Sequence, residues 1–390
     1  MRLAFYYHIT IYEKDKQYFA PSFFAVFLQA LAVEVNELSV IFHQANSSEI
    51  KGCDAEITNP NIVWINLGLK ASAWERTFFP KKYLANIYQK LGYVDALLVR
   101  SPTPFAHNFH RFIDIHKIVF LIVGDLEIGA IQNHQAGFRN RVIQFFLKYV
   151  HKQFEKEIAR THVIVNSPSL FDKYKSSAKT IHQIKTTTLS QSDFYPREDT
   201  CQETTIKLLY TGRIDMAKGL QELLEATIQL NKKSIKFELH FVGWEYDTNE
   251  PVKHKLLELA KENGFEDCVF FHGKLKVGAP LNAMYRMADI YVIPSYHEGF
   301  PRTIWEAMAN SLPVIASKVG AIPTYLSHDE NAILIEPKSV DQIVSAVQNL
   351  TSNTTLRQSI IKSAFELVQE NTLENQTKKL VHSIKQVTKP

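Results

Sequence analysis

The stretch Asp289-Ile290-Tyr291-Val292-Ile293-Pro294-Ser295, continued after one residue by His297-Glu298-Gly299-Phe300-Pro301-Arg302-Thr303-Ile304-Trp305-Glu306-Ala307-Met308-Ala309, reads as a buried strand, a Gly-Pro loop and a helix. A strand that passes through a Gly-bearing loop into a helix is a place to hold phosphate, because the first helical amides are unpaired and the helix dipole favours an anion there. Glu298 and Glu306 bracket the loop. Carboxylates repel phosphate but bond sugar hydroxyls, so the pattern predicts a ligand with a phosphate centre and a sugar at each end, a nucleotide sugar. With a helix starting near Phe300, Glu298 stands just before its N-terminus and Glu306 inside it. Eight residues of helical rise span about 12 Å, whereas paired glycosidase carboxylates lie about 5 to 9.5 Å apart. The spacing fits two binding contacts better than an acid/base pair. A helix cap at Glu298 and a solvated helix residue at Glu306 would give the same pattern, and on spacing alone both readings stand.

Working outward, strand-length apolar runs alternate with helical segments. Strands are predicted over 2–7, 37–42, 62–66, 96–100, 117–122, 162–166, 206–210, 237–242, 269–272, 290–294, 313–316 and 332–335. Helices are predicted over 21–35, 80–91, 138–159, 220–230, 253–263, 279–288, 301–310, 340–351 and 355–370. Such alternation implies parallel sheets covered by helices on both faces. The pattern restarts after a polar stretch, 185–205, which reads as a linker between two doubly wound domains. Ligands in such sheets bind beyond the carboxyl ends of the strands, and two facing domains would set a site in the cleft between them.

The bulk properties agree with this class. The chain has 390 residues, 45% hydrophobic and 12% aromatic, enough for two domains with sizeable cores. A net charge of +4 is too small for a dedicated nucleic-acid binder. Three scattered cysteines, Cys53, Cys201 and Cys268, form no C-x-x-C and point to a reducing, cytoplasmic setting without disulfides. Glu13-Lys14-Asp15-Lys16 interrupts the apolar N-terminus, so a secretory signal is not expected.

The restart carries a second phosphate-type loop, Thr211-Gly212-Arg213-Ile214-Asp215-Met216-Ala217-Lys218-Gly219. Arg213 supplies a planar fork and Lys218 a point charge beside a helix N-terminus. Together they would stabilise a departing diphosphate without a metal; a solvated turn with two surface cations is the plainer alternative.

Taken with Val269-Phe270-Phe271-His272-Gly273, the Asp289 strand, Glu298-Gly299-Phe300-Pro301 and Leu312-Pro313-Val314-Ile315-Ala316, this loop resembles the retaining glycosyltransferases of family 4. The resemblance is strong over 205–340 and reaches the first half only in outline. It implies the GT-B fold: two Rossmann-like α/β domains facing each other across a cleft. The domains would be 1–195, on the acceptor side, and 203–371, with a helix over about 372–390 packing back on the first. It implies that Arg213 and Lys218 hold the donor diphosphate, Glu298 contacts the donor sugar and Glu306 the ribose. Gly212, His272, Gly273, Lys274, Leu275, His297, Gly299, Phe300, Pro301 and Arg302 would complete the donor site. No cofactor or metal is implied; the donor is a nucleotide-diphosphate sugar, UDP-linked rather than GDP-linked. The acceptor would be a glycan or lipid-linked saccharide of a surface polysaccharide.

Some positions depart from the family. The first domain lacks the usual Gly-Gly loop, since 8–20 contains no Gly, and its usual histidine is replaced, with Asp125, His107 or His110 as the candidate substitutes. The absence of D-x-D, G-x-G-x-x-G and G-x-x-x-x-G-K-[ST] motifs disfavours the metal-dependent transferases, dinucleotide binding and P-loops. Two rivals remain: a nucleotide-sugar epimerase of the same fold, and an inactive partner subunit.

Two first-half segments mix cations with aromatics, 74–83 and 138–152. Such surfaces suit peripheral contact with an anionic membrane. In the second, Phe138, Val142, Phe145 and Tyr149 also have the spacing of a helical core stripe.

Overall fold

The computed structural model describes residues 1–124 and 138–388, with the side chains of 85, 86, 88, 89 and 138–142 outside the description. The chain divides into two compact units, Met1–Thr186 with Glu374–Pro390, and Thr187–Leu373.

The first unit is built on β1 (Arg2–Lys14), β2 (Gln17–Ala20), β3 (Glu37–Gln44), β4 (Ala55–Glu56), β5 (Ile62–Leu69), β6 (Ala96–Ser101), β7 (Ile118–Ile122), β8 (His162–Val165) and β9 (Thr180–Gln183). Its parallel strands run in the order β5-β3-β1-β6-β7-β8-β9, so the winding reverses between β1 and β6. The central strands β3, β6, β7 and β8 are buried on both faces, which explains their unbroken apolar runs. On β1, Ala4 and Tyr6 enter the core beside Phe105 and Phe109, while Phe5 packs on Phe24 and Phe27 of helix Ser22–Val33.

The Gly-free segment after strand one is no loop. β1 runs on to Lys14 and pairs antiparallel with β2, and the turn residues Asp15 and Lys16 are both left-handed, at φ 50° and 63°. Two left-handed residues make the tight turn whose twist suits a hairpin.

Helix Phe138–Ile158 corrects the expected core stripe. Phe145 is 76% exposed and Tyr149 is exposed too, whereas Val150, Phe154 and Ile158 are buried. These three, spaced four apart, are the apolar side that faces the sheet. Phe78 instead stacks on Tyr149 at 5.7 Å, and Trp74 lies 5.5 Å from Phe146, so the two aromatic segments meet each other near the surface.

The second unit has one six-stranded parallel sheet of β10 (Thr205–Thr211), β11 (Lys236–Val242), β12 (Val269–Phe271), β13 (Ile290–Ile293), β14 (Val314–Ser317) and β15 (Ile333–Ile335). The order is β12-β11-β10-β13-β14-β15, with the reversal between β10 and β13. Most of the polar stretch read as a linker is packed into this unit. Leu189 is in its core, Arg197 donates to the carbonyls of Tyr285, Arg286, Ala288 and Asn310, and Asp199 binds Arg357 through two bonds of 2.6 and 2.9 Å. The polar residues that suggested solvation satisfy buried backbone and a buried guanidinium instead.

Candidate functional site

In the second unit, the loops that leave β10 and β13 lie where the winding reverses, the place at which an open parallel sheet forms a crevice. Backbone hydrogen bonds tie the loops there side by side. Gly243 N donates to Gly273 O at 2.9 Å, Gly212 N to Val242 O at 2.9 Å and Ile214 N to Trp244 O at 2.8 Å. Tyr296 N donates to Ala217 O at 2.9 Å and Ala321 N to Gly299 O at 2.7 Å. Two left-handed glycines allow this approach. A Cβ on Gly219 (φ 68°) would stand 2.1 Å from Pro294 O, and one on Gly320 (φ 57°) 1.8 Å from Glu298 O. A side chain at either position would drive the Glu298 loop away.

Lys218 ends the turn Met216–Lys218, which Asp215 caps by accepting from Ala217 N at 2.9 Å. Its Nζ lies 2.6 Å from Glu298 Oε1, and that oxygen also accepts from Ser295 Oγ at 2.8 Å. Arg213 is held differently. Its guanidinium sits 5.3 Å from the Tyr246 ring centre, 3.8 Å from Asp215 Oδ2, and is largely open to solvent. A cation engaged only by exposed partners is available to an anionic ligand at little desolvation cost.

The helix starts at Arg302, and Pro301 occupies its N-cap position with no side-chain bond. Glu298 is therefore not a cap. Nor is Glu306 solvated: it is 4% exposed, and six of the eight helical residues are buried. Glu306 Oε1 accepts from Thr188 Oγ1 at 2.6 Å, Oε2 accepts from Tyr285 OH at 2.8 Å, and Arg302 Nε is 3.8 Å away. Thr211 Oγ1 stands 2.7 Å from Tyr285 OH, and Tyr291 OH donates to Thr303 Oγ1 at 2.7 Å. Burial, and then the Glu306 charge, hold the Tyr285 phenol well above its ordinary pKa, so it stays a donor.

The remaining predicted residues fall into place around these loops. His297 and Gly299 are exposed. Phe300 stacks on Trp305 at 4.3 Å, so its ring belongs to the core. His272, Gly273 and Lys274 are exposed, and Leu275 packs against the core. His272 Nε2 lies 3.0 Å from His240 Nδ1, whose Nε2 faces Glu238 at 3.3 Å. Burial lowers the pKa of both rings. The sequence reading passed over Trp244 and Tyr246. Lys274 Nζ is 5.6 Å from the Trp244 ring centre, and Arg213 covers Tyr246, so two exposed aromatics stand among the site's cations. Their signal was legible as two large aromatics immediately after Val242-Gly243. Thr188 carried no such signal.

The first-half candidates separate. Asp125 lies outside the described residues. His107 is buried, its Nε2 3.1 Å from Asn108 Nδ2, and burial with Arg111 and His110 pushes its pKa down to about 4. It lines a cavity of about 680 Å³ with Phe78, Arg111, Tyr149, Lys156 and Glu157.

Residues 191–367 match the family model described as Glycosyl transferases group 1. The second unit belongs to that family. CapJ of Staphylococcus aureus is 27% identical over 75% of this chain and 65% of its own length. The lipopolysaccharide 1,2-N-acetylglucosaminetransferase of Salmonella typhimurium is 33% identical over 43% of this chain and 44% of its own. The chain thus spans less than two thirds of either relative. Among solved structures, Anabaena HepE in complex with UDP superposes with a TM-score of 0.73 at 13% identity, covering 99% of this chain and all of that one. This likeness shows the fold, and the group 1 unit with its Rossmann-like companion is of the GT-B class.

Proposed function

We propose that the protein transfers a sugar from a nucleotide-diphosphate sugar, UDP-linked in our reading, to a glycan or lipid-linked saccharide of a surface polysaccharide, with retention of anomeric configuration and without a metal. The observation that carries this is the meeting of Lys218 with Glu298 at 2.6 Å, beside the partly exposed Arg213, at the switch point of a group 1 domain. An incoming diphosphate would draw Lys218 and Arg213 to its oxygens and release Glu298 for sugar hydroxyls. The two cations would then carry the charge that grows on the leaving diphosphate. Glu306, bonded by Thr188 and Tyr285, would set the floor of the ribose end. HepE's bound UDP and the Salmonella relative's lipopolysaccharide substrate supply the analogy for donor and acceptor.

The test is incubation with a panel of nucleotide sugars, following free nucleoside diphosphate and product anomer. Transfer or slow hydrolysis of one donor is expected. An epimerised donor without diphosphate release, or no turnover with any donor and acceptor, would overturn the reading.

We further propose that the first unit touches an anionic membrane. No described helix is long and apolar enough to cross one, but Trp74, Phe78, Phe79 and Phe145 are exposed near Lys81 and Lys82. Co-sedimentation with anionic liposomes, weakened by Lys81→Glu with Lys82→Glu, is expected; absence of binding at low salt would refute it.

A further inference from the structure

The carboxyl end of the first sheet holds a group that folding alone does not explain. Arg76 is 5% exposed, yet among the described residues no carboxylate lies within ion-pair distance of it. Its Nε donates to Ala71 O at 3.1 Å, while Nη1 is buried without a partner. The neighbouring acid on its own helix, Glu75, is turned back onto Ser72 in a capping box. A buried guanidinium without a counter-charge costs several kcal/mol, so something should complete it.

The side chains packed near it are neutral or cationic: Tyr6, His8, His43 and Lys70. His8 sits where β1 shifts register against β3, between Tyr6 and Thr10, a bulge of the kind that re-aims side chains. His8 Nδ1 and Ser101 Oγ are also buried without partners. Tyr6 OH lies 3.2 Å from His43 Nε2. Burial, with the charges of Lys70, Arg76 and, for His8, Arg100, pushes the pKa of His8 down to about 4 and that of His43 to about 3. Burial, reinforced by these cations, keeps both rings neutral at pH 7. Among the described residues, Glu49 lies 3.6 Å from Lys70 at the partly exposed rim. His8 lies on β1, His43 on β3 and Ser101 ends β6, while Lys70 and Arg76 follow β5, so the group spans the reversal between β1 and β6, where a doubly wound sheet receives ligands.

We propose that Arg76, with His8, Ser101 and Lys70, forms an oxyanion-binding site, and, resting on the transferase reading, that the acceptor carries this oxyanion as a carboxylate or a phosphate. Arg76 presents Nη1 to one anionic oxygen, Ser101 and the His8 ring complete the shell, and Lys70 closes it from the rim.

Calorimetric titration of the full chain with methyl glucuronide, methyl glucoside and inorganic phosphate tests this. The hosts are the wild type, Arg76→Met, Lys70→Met and the double variant Arg213→Ala/Lys218→Ala, which disables the anion loop of the second unit. The expected result is that an anion binds to the wild type and the double variant, at least about tenfold more weakly to Arg76→Met and about threefold more weakly to Lys70→Met. The glucoside should not discriminate. Preference for glucuronide identifies an acidic sugar, and preference for phosphate a phosphate ester. No anion binding, or binding that survives Arg76→Met and Lys70→Met but vanishes in the double variant, overturns the proposal. If Arg76→Met fails to fold, Lys70→Met decides. Nucleoside diphosphate release in the same samples separates the two readings. Turnover without anion binding sinks this site alone, whereas anion binding without turnover for any donor sinks the transferase reading and leaves the site standing.

Discussion

The two sheets share a winding order and treat its reversal point in opposite ways. In the second unit, glycines let the loops close on one another, Lys218 is neutralised by Glu298, and Glu306 is satisfied by two hydroxyls. In the first, a hairpin replaces the glycine loop, and a buried arginine stands among neutral histidines with donors left over. One end balances its own charges, as suits a site that must release a charged product. The other buries a positive charge that no described carboxylate pairs, as the proposed oxyanion site requires. The difference teaches that a shared topology fixes where a ligand sits, while the loops decide which charge it brings.

Acid should break the comparison most visibly. His8, His43, His107 and His162 of the first unit all have pKa values pushed down to between about 3 and about 4, in each case chiefly by burial. A folded-state pKa below the free value near 6.5 means that the unfolded chain takes up the extra proton first. Stability is therefore complete above about pH 6.5 and is lost as pH falls towards 4. His43 alone would contribute about 3 kcal/mol of that loss. The second unit holds His240 and His272 with lowered values as well, but His272 is exposed. Hydrogen exchange read peptide by peptide across this pH range should show the first unit opening before the second; the reverse order would contradict the account.

Removing a single buried charge from each site should have opposite consequences. Glu306→Ala leaves the buried Thr188 hydroxyl without its acceptor and Tyr285 OH with only Thr211 Oγ1, a cost of about 1 to 3 kcal/mol. Arg76→Met removes a buried charge that no described carboxylate pairs and should leave stability nearly unchanged or raise it. Urea denaturation of both variants measures this, and an equal loss in the two would erase the contrast.

Turnover comes next in size. Arg213→Ala, Lys218→Ala and Glu298→Gln should each lower the rate of donor consumption by at least about tenfold, roughly 1.4 kcal/mol of barrier. Unchanged rates in all three would refute the second-unit site. The smallest effect is expected at Trp244, whose replacement by Ala should raise the donor KM about fivefold, near 1 kcal/mol, with kcat unchanged. A fall in kcat alone would place Trp244 outside the binding surface.

Much of the second unit was legible in advance, because its elements are long, apolar and periodic and its loops carry Gly-Arg and Glu-Gly-Phe-Pro together. The expected strands all recur, and all but β1, which runs on to Lys14, end within a few residues of their predicted bounds. Short elements without periodicity escaped, among them β2, β4, β9 and helix Ala73–Phe78, which carries Arg76. A stripe misread on helix Phe138–Ile158 shows the same limit: period alone does not say which of two apolar sides meets the sheet.

By itself, then, the sequence determined the parallel α/β class, the two-part organisation and the identity of the second-unit loops, since these follow from local periodicity and from residues adjacent in the chain. Only the tertiary structure decided that Glu306 is buried under Thr188, that the polar stretch before β10 is packed rather than solvent-borne, and that Arg76 is buried with no partner for Nη1 among the described residues. Each depends on contacts between residues far apart in sequence. Burial of charge, which sets its cost and its use, is a property of those contacts and not of the residue type.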